Sequence, residues 1–170
     1  DTEVPTESTA KEAAKKAIAE AAEAKNNAID SSNLTDEEKA ALKQKVTDAQ
    51  NAADQAIDNA TTNAAVTEAQ TNGVNAINAI EVTTSTAKEA AKKAVADAAT
   101  AKNNAIDASN LTDEEKAALK QKVTDAQTAA DQAIDKATSN TAVTEAKDNG
   151  VSAIEGIEVP TTSANKEKAT

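Results

Sequence analysis

The chain contains no Cys, His, Met, Trp, Tyr, Phe or Arg, and only two prolines and three glycines among its 170 residues. Without Cys or His, the usual nucleophile and base pairs and the usual transition-metal ligands are missing. An enzyme would have to work with Asp, Glu, Lys, Ser and Thr alone. Without aromatic rings there is no platform on which bases or sugars could stack. No run approaches the roughly 18 apolar residues of a membrane helix, and Asp1-Thr2-Glu3-Val4-Pro5 is not a charged-then-apolar signal segment. These residues read as the middle of something longer. The absence of Cys suits the cytosol and equally suits many bacterial surface proteins.

What is present is acidic and repetitive. The 29 Asp and Glu residues outnumber 18 lysines, for a net charge of −11. Such a chain repels nucleic acid phosphates and anionic membrane surfaces, so neither is expected as a partner. Ser32 to Gln50 returns unchanged as Ser109 to Gln127, and residues 8–80 align with 85–157 at a constant offset of 77, with 13 differences in 73 positions. Nearly all the differences fall where a helix would be exposed. A 77-residue period is far longer than an ankyrin or tetratricopeptide unit and fits a small three-helix bundle.

Three helices are legible in each repeat. Thr9-Ala10-Lys11-Glu12 and Thr86-Ala87-Lys88-Glu89 have the Thr-x-x-Glu pattern of a capping box, and helix one is expected to run from there to Asp30-Ser31-Ser32-Asn33. Its core side is mostly Ala, with Ile18 and Ile29 sharing a face. Thr35-Asp36-Glu37-Glu38 is a second capping box. Behind it Leu42, Val46, Ala49, Ala53 and Ile57 lay one thin apolar stripe along a helix from about residue 36 to 60. Thr61-Thr62-Asn63 makes a turn, and helix three carries Val66, Ala69, Gly73, Ile77 and Ile80. Gly73 sits on the stripe, at a cost of about 1 kcal/mol against Ala. It marks either a mild kink or, the reading we prefer, close approach of a neighbouring backbone; Gly73→Ala is then expected to be neutral or mildly stabilising if a methyl fits. Asn72-Gly73 and Asn149-Gly150 would be hairpin turns between strands, but the spacing on both sides is helical.

Between the repeats lies Glu81-Val82-Thr83-Thr84-Ser85. Its counterparts Glu3-Val4-Pro5-Thr6 and Glu158-Val159-Pro160-Thr161 hold both prolines, so these segments read as helix breaks. The expected organisation is a linker over 1–8, a three-helix repeat over 9–80, a linker over 81–85, a second repeat over 86–157, and over 158–170 a linker with the frayed start of another repeat.

No candidate chemistry rises above a structural account. Asp36-Glu37-Glu38 is where the helix macrodipole favours acids, and Glu38 already serves the cap. Glu145-Ala146-Lys147-Asp148-Asn149-Gly150 fails the alternating pattern of a calcium loop. Paired carboxylates occur everywhere in so acidic a chain, so no pair points to glycoside chemistry. Asn33-Leu34-Thr35, Asn59-Ala60-Thr61 and Asn110-Leu111-Thr112 match the glycosylation acceptor pattern, as chance allows in an Asn- and Thr-rich chain. We expect no catalytic, cofactor-binding or metal-binding residue, no cofactor, and no enzyme. The Ala, Lys and Glu richness also resembles desiccation-protection and ice-binding helices, but those carry 11-residue periods throughout.

Ala-Lys-Asn-Asn-Ala-Ile-Asp at 24–30 and 101–107, Leu-Thr-Asp-Glu-Glu-Lys, Ala-Asp-Gln-Ala-Ile-Asp at 53–58 and 130–135, and Gly-Val-x-Ala-Ile at 73–77 and 150–154 carry a resemblance. The chain resembles the helical domain-of-unknown-function repeats of Gram-positive cell-wall-anchored surface proteins, the long arrays of adhesins and biofilm-associated proteins. The resemblance implies an extracellular, wall-anchored stalk that projects an adhesive domain, and it brings no catalytic residues. The expected fold is all-α, two tandem up-down-up three-helix bundles arranged end to end as an elongated rod. The expected partners are neighbouring repeats of the same chain, with the protein monomeric. The alternative is a three-helix module that binds a host serum or matrix protein, as albumin- and immunoglobulin-binding modules do on similar surfaces.

Overall fold

A computed structural model of the protein describes residues 8–168, and it divides between Thr84 and Ser85 into two compact units. The described residues form seven helices and no strand. The first unit holds α1 (Thr9–Ser31), α2 (Asp36–Asn59) and α3 (Asn63–Asn78). The second holds α4 (Thr86–Ala108), α5 (Asp113–Lys136), α6 (Asn140–Glu155) and a short α7 (Ala164–Lys168). Within each unit every long helix packs on the other two, so both repeats are three-helix bundles. The linker expected over 1–8 lies, apart from Ser8, outside the described residues.

The helices start where short polar side chains can take an orphan N–H. Thr35 and Thr112 make full capping boxes: Thr35 N–H donates to Glu38 Oε1 at 2.9 Å and Glu38 N–H donates to Thr35 Oγ1 at 3.3 Å, with Glu115 and Thr112 repeating the pair. Thr35→Ala should cost about 0.5–2 kcal/mol and raise amide exchange at Glu38. Unaltered exchange over 36–39 would reject that assignment. The expected boxes at Thr9 and Thr86 are not there. Ser8 and Ser85 are the N-caps, accepting from Lys11 and Lys88 N–H, and the threonines are the first helical residues. In each Ser-Thr pair either hydroxyl could serve; once the serine caps, Lys and not Glu stands three residues on, and no reciprocal box can close.

The core of each unit is a single thin column. In the first unit Ala14, Ile18, Ala22, Ile29, Val46, Ala53, Ile57, Val66 and Ile77 form it, and their equivalents 77 residues on form the second. Ile18, Ile29, Ile57 and Ile77 are fully buried, while Leu42, Val74 and Ile80 only pack against the column's edge. One difference between the copies is not exposed as expected: Ile18 and its counterpart Val95 are both fully buried. Gly73 is a contact glycine and not a kink. A Cβ on it would lie 2.5 Å from Ala53 Cβ and 2.6 Å from Ile18 Cδ1. The expectation of a harmless Gly73→Ala is therefore overturned, because no methyl fits between α3 and α2.

Gly156 has no such role. It ends α6 in the conformation (φ −72°, ψ −11°) that Ala79 adopts at the end of α3 (φ −74°, ψ −14°), so an ordinary side chain is accepted there.

The helix ends are closed from across the bundle. No basic residue stands in the last turn of α1, α2 or α3. Lysines of neighbouring helices supply the missing charge instead. Lys39 of α2 donates to Asp30 O at 3.0 Å, and Lys11 of α1 donates to Asp58 O at 2.8 Å. Lys25 of α1 donates to Asn78 O at 3.2 Å and Ile80 O at 2.7 Å. Lys43 and Lys15, one turn further along, pair with the Asp30 and Asp58 carboxylates. Five of the seven lysines of the first repeat are thus committed to the C-terminus of another helix. The second repeat duplicates the set with Lys88, Lys92, Lys102, Lys116 and Lys120. A carbonyl accepts a point charge on a flexible stem well, which suits lysine in a chain without arginine.

The same bonds give the topology. The start of α1 meets the end of α2, the start of α2 meets the end of α1, and Lys25, well along α1, meets the end of α3. The order is up-down-up. Lys25 lies 16 residues into α1, about 24 Å, which is the full length of the 16-residue α3. Beyond that level the chain continues without helix, and Ile80 and Val82 cover the column that α3 no longer reaches. Lys25→Met should fray the end of α3 at a cost of about 1–2 kcal/mol, since a charge-assisted bond to backbone acceptors is lost from a half-exposed site. Hydrogen exchange at the last amides of α3 that stayed at the parent rate would contradict this.

Candidate functional site

Among the described residues no three acidic side chains gather as a metal ion would require. Asp36 and Glu37 are exposed, and Glu38 faces the backbone of Thr35. Asp54 and Asp131 each keep Oδ1 buried without a hydrogen-bond partner. Burial pushes both carboxyls above the usual range, against the pull of Lys15 and Lys92, with Asp58 and Asp135 adding to the rise. A raised carboxylate can be a general acid when it sits in a cleft beside a second reacting group. The neighbours here are a lysine and an aspartate already paired with each other at a helix end, so the arrangement closes a bundle and presents no nucleophile.

The most elaborate polar cluster stands where α4 gives way to α5. Glu115 Oε1 accepts from Thr112 N–H at 2.9 Å and from the Ser163 hydroxyl at 2.5 Å. Its Oε2 accepts from Asn165 N–H at 3.2 Å. Ser163, 2% exposed, in turn accepts from Lys166 N–H as the cap of α7, and Lys166 Nζ donates to Asn110 Oδ1 at 3.1 Å. The tail expected to be frayed is helical over Ala164–Lys168 and bonded from Ser163 on. Three polar contacts to residues about fifty positions earlier outweigh the ordering of a few residues.

The Ser163 hydroxyl, then the Thr112 amide, hold the Glu115 carboxyl down to about 2, with burial opposing them and Asn165 N–H adding to the fall. The folded value lies below the unfolded one. The contribution of these bonds is therefore complete above about pH 4.5 and is lost as the pH falls from there toward 2. Carboxyl-carbon NMR should show Glu115 titrating near the lower value, and Ser163→Ala should move the midpoint up. A parent midpoint at the ordinary glutamate value would reject the bonding described.

Beside this cluster runs an open apolar groove lined by Leu111, Leu119, Ile157, Pro160 and Ala164, with Glu115 at its rim. The capping box was legible in sequence, but the second set of donors on Glu115 was not. The available signal was register: Ser163-Ala164-Asn165-Lys166-Glu167 repeats the Ser-x-x-Lys-Glu of Ser8 to Glu12 and Ser85 to Glu89.

The family model described as Domain of Unknown Function (DUF1542) matches the chain twice in tandem, over residues 10–85 and 87–162. The chain belongs to this family. DUF1542 is a repeat domain found in Gram-positive surface proteins, and the two matches coincide with the two bundles. Neither a curated protein nor a solved structure gives a significant match. No helix among the described residues is long and apolar enough to cross a membrane.

Proposed function

We propose that these two DUF1542 repeats are a spacer segment of a bacterial surface protein, part of an extracellular stalk that carries an adhesive domain away from the cell wall. The observation that carries the reading is duplication. The two copies share the same column of core positions, the same capping boxes and the same five lysine closures each, so length has been added without adding a second chemistry. The acidic balance serves an exposed spacer, because most of the lysines are held at helix ends and the net charge of −11 keeps the chain solvated and apart from its copies. On this reading the protein is monomeric, has no catalytic activity, and meets chiefly the neighbouring repeats of its own chain.

A spacer must be long, so solution dimensions test it. Two bundles built on helices of 24 residues, about 36 Å each, would reach on the order of 80 Å if joined end to end. A rod of that length has a radius of gyration of about 23–25 Å, against about 15.5 Å for a compact globule of this size. A small-angle scattering value below about 18 Å would remove the basis of the stalk reading. Capture of one serum or matrix protein at a fixed stoichiometry would favour a host-binding module instead.

A further inference from the structure

We propose that the corner between α4 and α5 is a docking surface for the opening turn of the helical repeat that follows, recognised through its serine N-cap and the lysine three residues on. The proposal rests on the reading of the chain as part of a repeat array. The occupant is already seated. Ser163-x-x-Lys166 has the register of Ser8-x-x-Lys11 and Ser85-x-x-Lys88, which open α1 and α4, so α7 is the first turn of a helix of that kind. The receptor consists of both Glu115 oxygens and Asn110 Oδ1, and the incoming groups are the Ser163 hydroxyl, the Asn165 N–H and the Lys166 amine. Leu111, Ile157, Pro160 and Ala164 line the apolar groove beside it.

The arrangement makes Glu115 a shared cap. One oxygen closes the start of α5 while also receiving Ser163, and the other takes the second amide of α7. A following repeat is then tied to a fixed element of the one before it, and the joint has a preferred orientation where a free linker would have none. Lys11 and Lys88 donate to Asp58 O and Asp135 O, and Lys166 donates to Asn110 Oδ1.

Amide exchange at neutral pH on the full chain tests this. In the parent protein Asn165 and Lys166 should exchange at least about tenfold more slowly than an unstructured chain. Ser163→Ala and Glu115→Ala should each abolish that protection, while Glu114→Ala, at an exposed position in the same turn of α5, should leave it intact. Ser163→Ala should not alter exchange at the Glu115 amide, which reads the α5 cap alone. Unprotected amides in the parent would overturn the proposal. So would protection that Ser163→Ala removes but Glu115→Ala does not, since α7 would then be capping itself without docking. If docking fails while the scattering dimension stands, the stalk reading survives without this joint.

Discussion

Gly73→Leu is expected to destabilise the first repeat by about 3 kcal/mol or more, and Gly73→Ala by about 1 kcal/mol. Alanine would gain about 1 kcal/mol in helix propensity over glycine, but overpacking costs about 1–3 kcal/mol and here meets a neighbour that cannot turn aside. Ala53 Cβ, 2.5 Å from the added carbon, is fixed to the α2 backbone and has no rotamer to change. Ile18 Cδ1 at 2.6 Å is the far end of a flexible side chain and can give. The second repeat supplies a control. Gly150 faces Ala130 Cβ as closely, at 2.4 Å, but Val95 Cγ2 stands off at 3.5 Å, an ordinary contact. Gly150→Ala should therefore cost less than Gly73→Ala, and an Ile18→Val background should narrow the difference. Moving the glycine across the interface, as Ala53→Gly with Gly73→Ala, leaves helix propensity nearly unchanged and should recover most of the loss. Thermal melts of the parent, Ala53→Gly, Gly73→Ala and the double variant form a double-mutant cycle. A Gly73→Ala protein that melts at or above the parent would refute the close-contact account.

This contact shows where sequence reading stops. The spacing of Val66, Ala69, Gly73, Ile77 and Ile80 places the glycine on the buried stripe, because helical periodicity is a local property. It cannot name Ala53 as the residue opposite, since that depends on the axial offset between two helices. The 77-residue period, the Thr35 and Thr112 boxes and the core column were legible for the same local reason. The starts of α1 and α4 were not. Ser8 competes with Thr9 for one N–H, and a single register decides between them. The lysine closures were hidden because the expected place for a base is the last turn of its own helix, whereas Lys11, Lys25 and Lys39 act from a different helix. A sequence clue did exist, in lysines paired four apart at 11 and 15 and at 39 and 43, with aspartates ending helices that carry no base of their own. The Glu115 cluster was hidden more deeply, because a carboxylate already assigned to one cap seemed fully used.

Ile57→Ala is the second large effect, expected at about 4–5 kcal/mol in the first repeat, the upper part of the usual range of about 2–5 kcal/mol for deleting a buried branched side chain. The magnitude follows from what surrounds the site. Ile57 is fully buried, and the column around it consists of a few other Ile and Val side chains and of Ala. Alanine has no rotamer with which to fill a void, and the chain has no aromatic or methionine side chain to swing inward, so little of the cavity can collapse. Leu42→Ala removes a side chain of the same size from the edge of the column, where water already reaches it, and should cost only about 1 kcal/mol. Urea titration followed by circular dichroism distinguishes the two. For Ile57→Ala the midpoint of the affected transition should fall steeply with its slope unchanged, as for a native state that loses packing without altering the surface exposed on unfolding. Equal midpoints for the Ile57 and Leu42 variants would mean that the bundle is held by its helix ends and propensities, and that the isoleucine column is not its principal support.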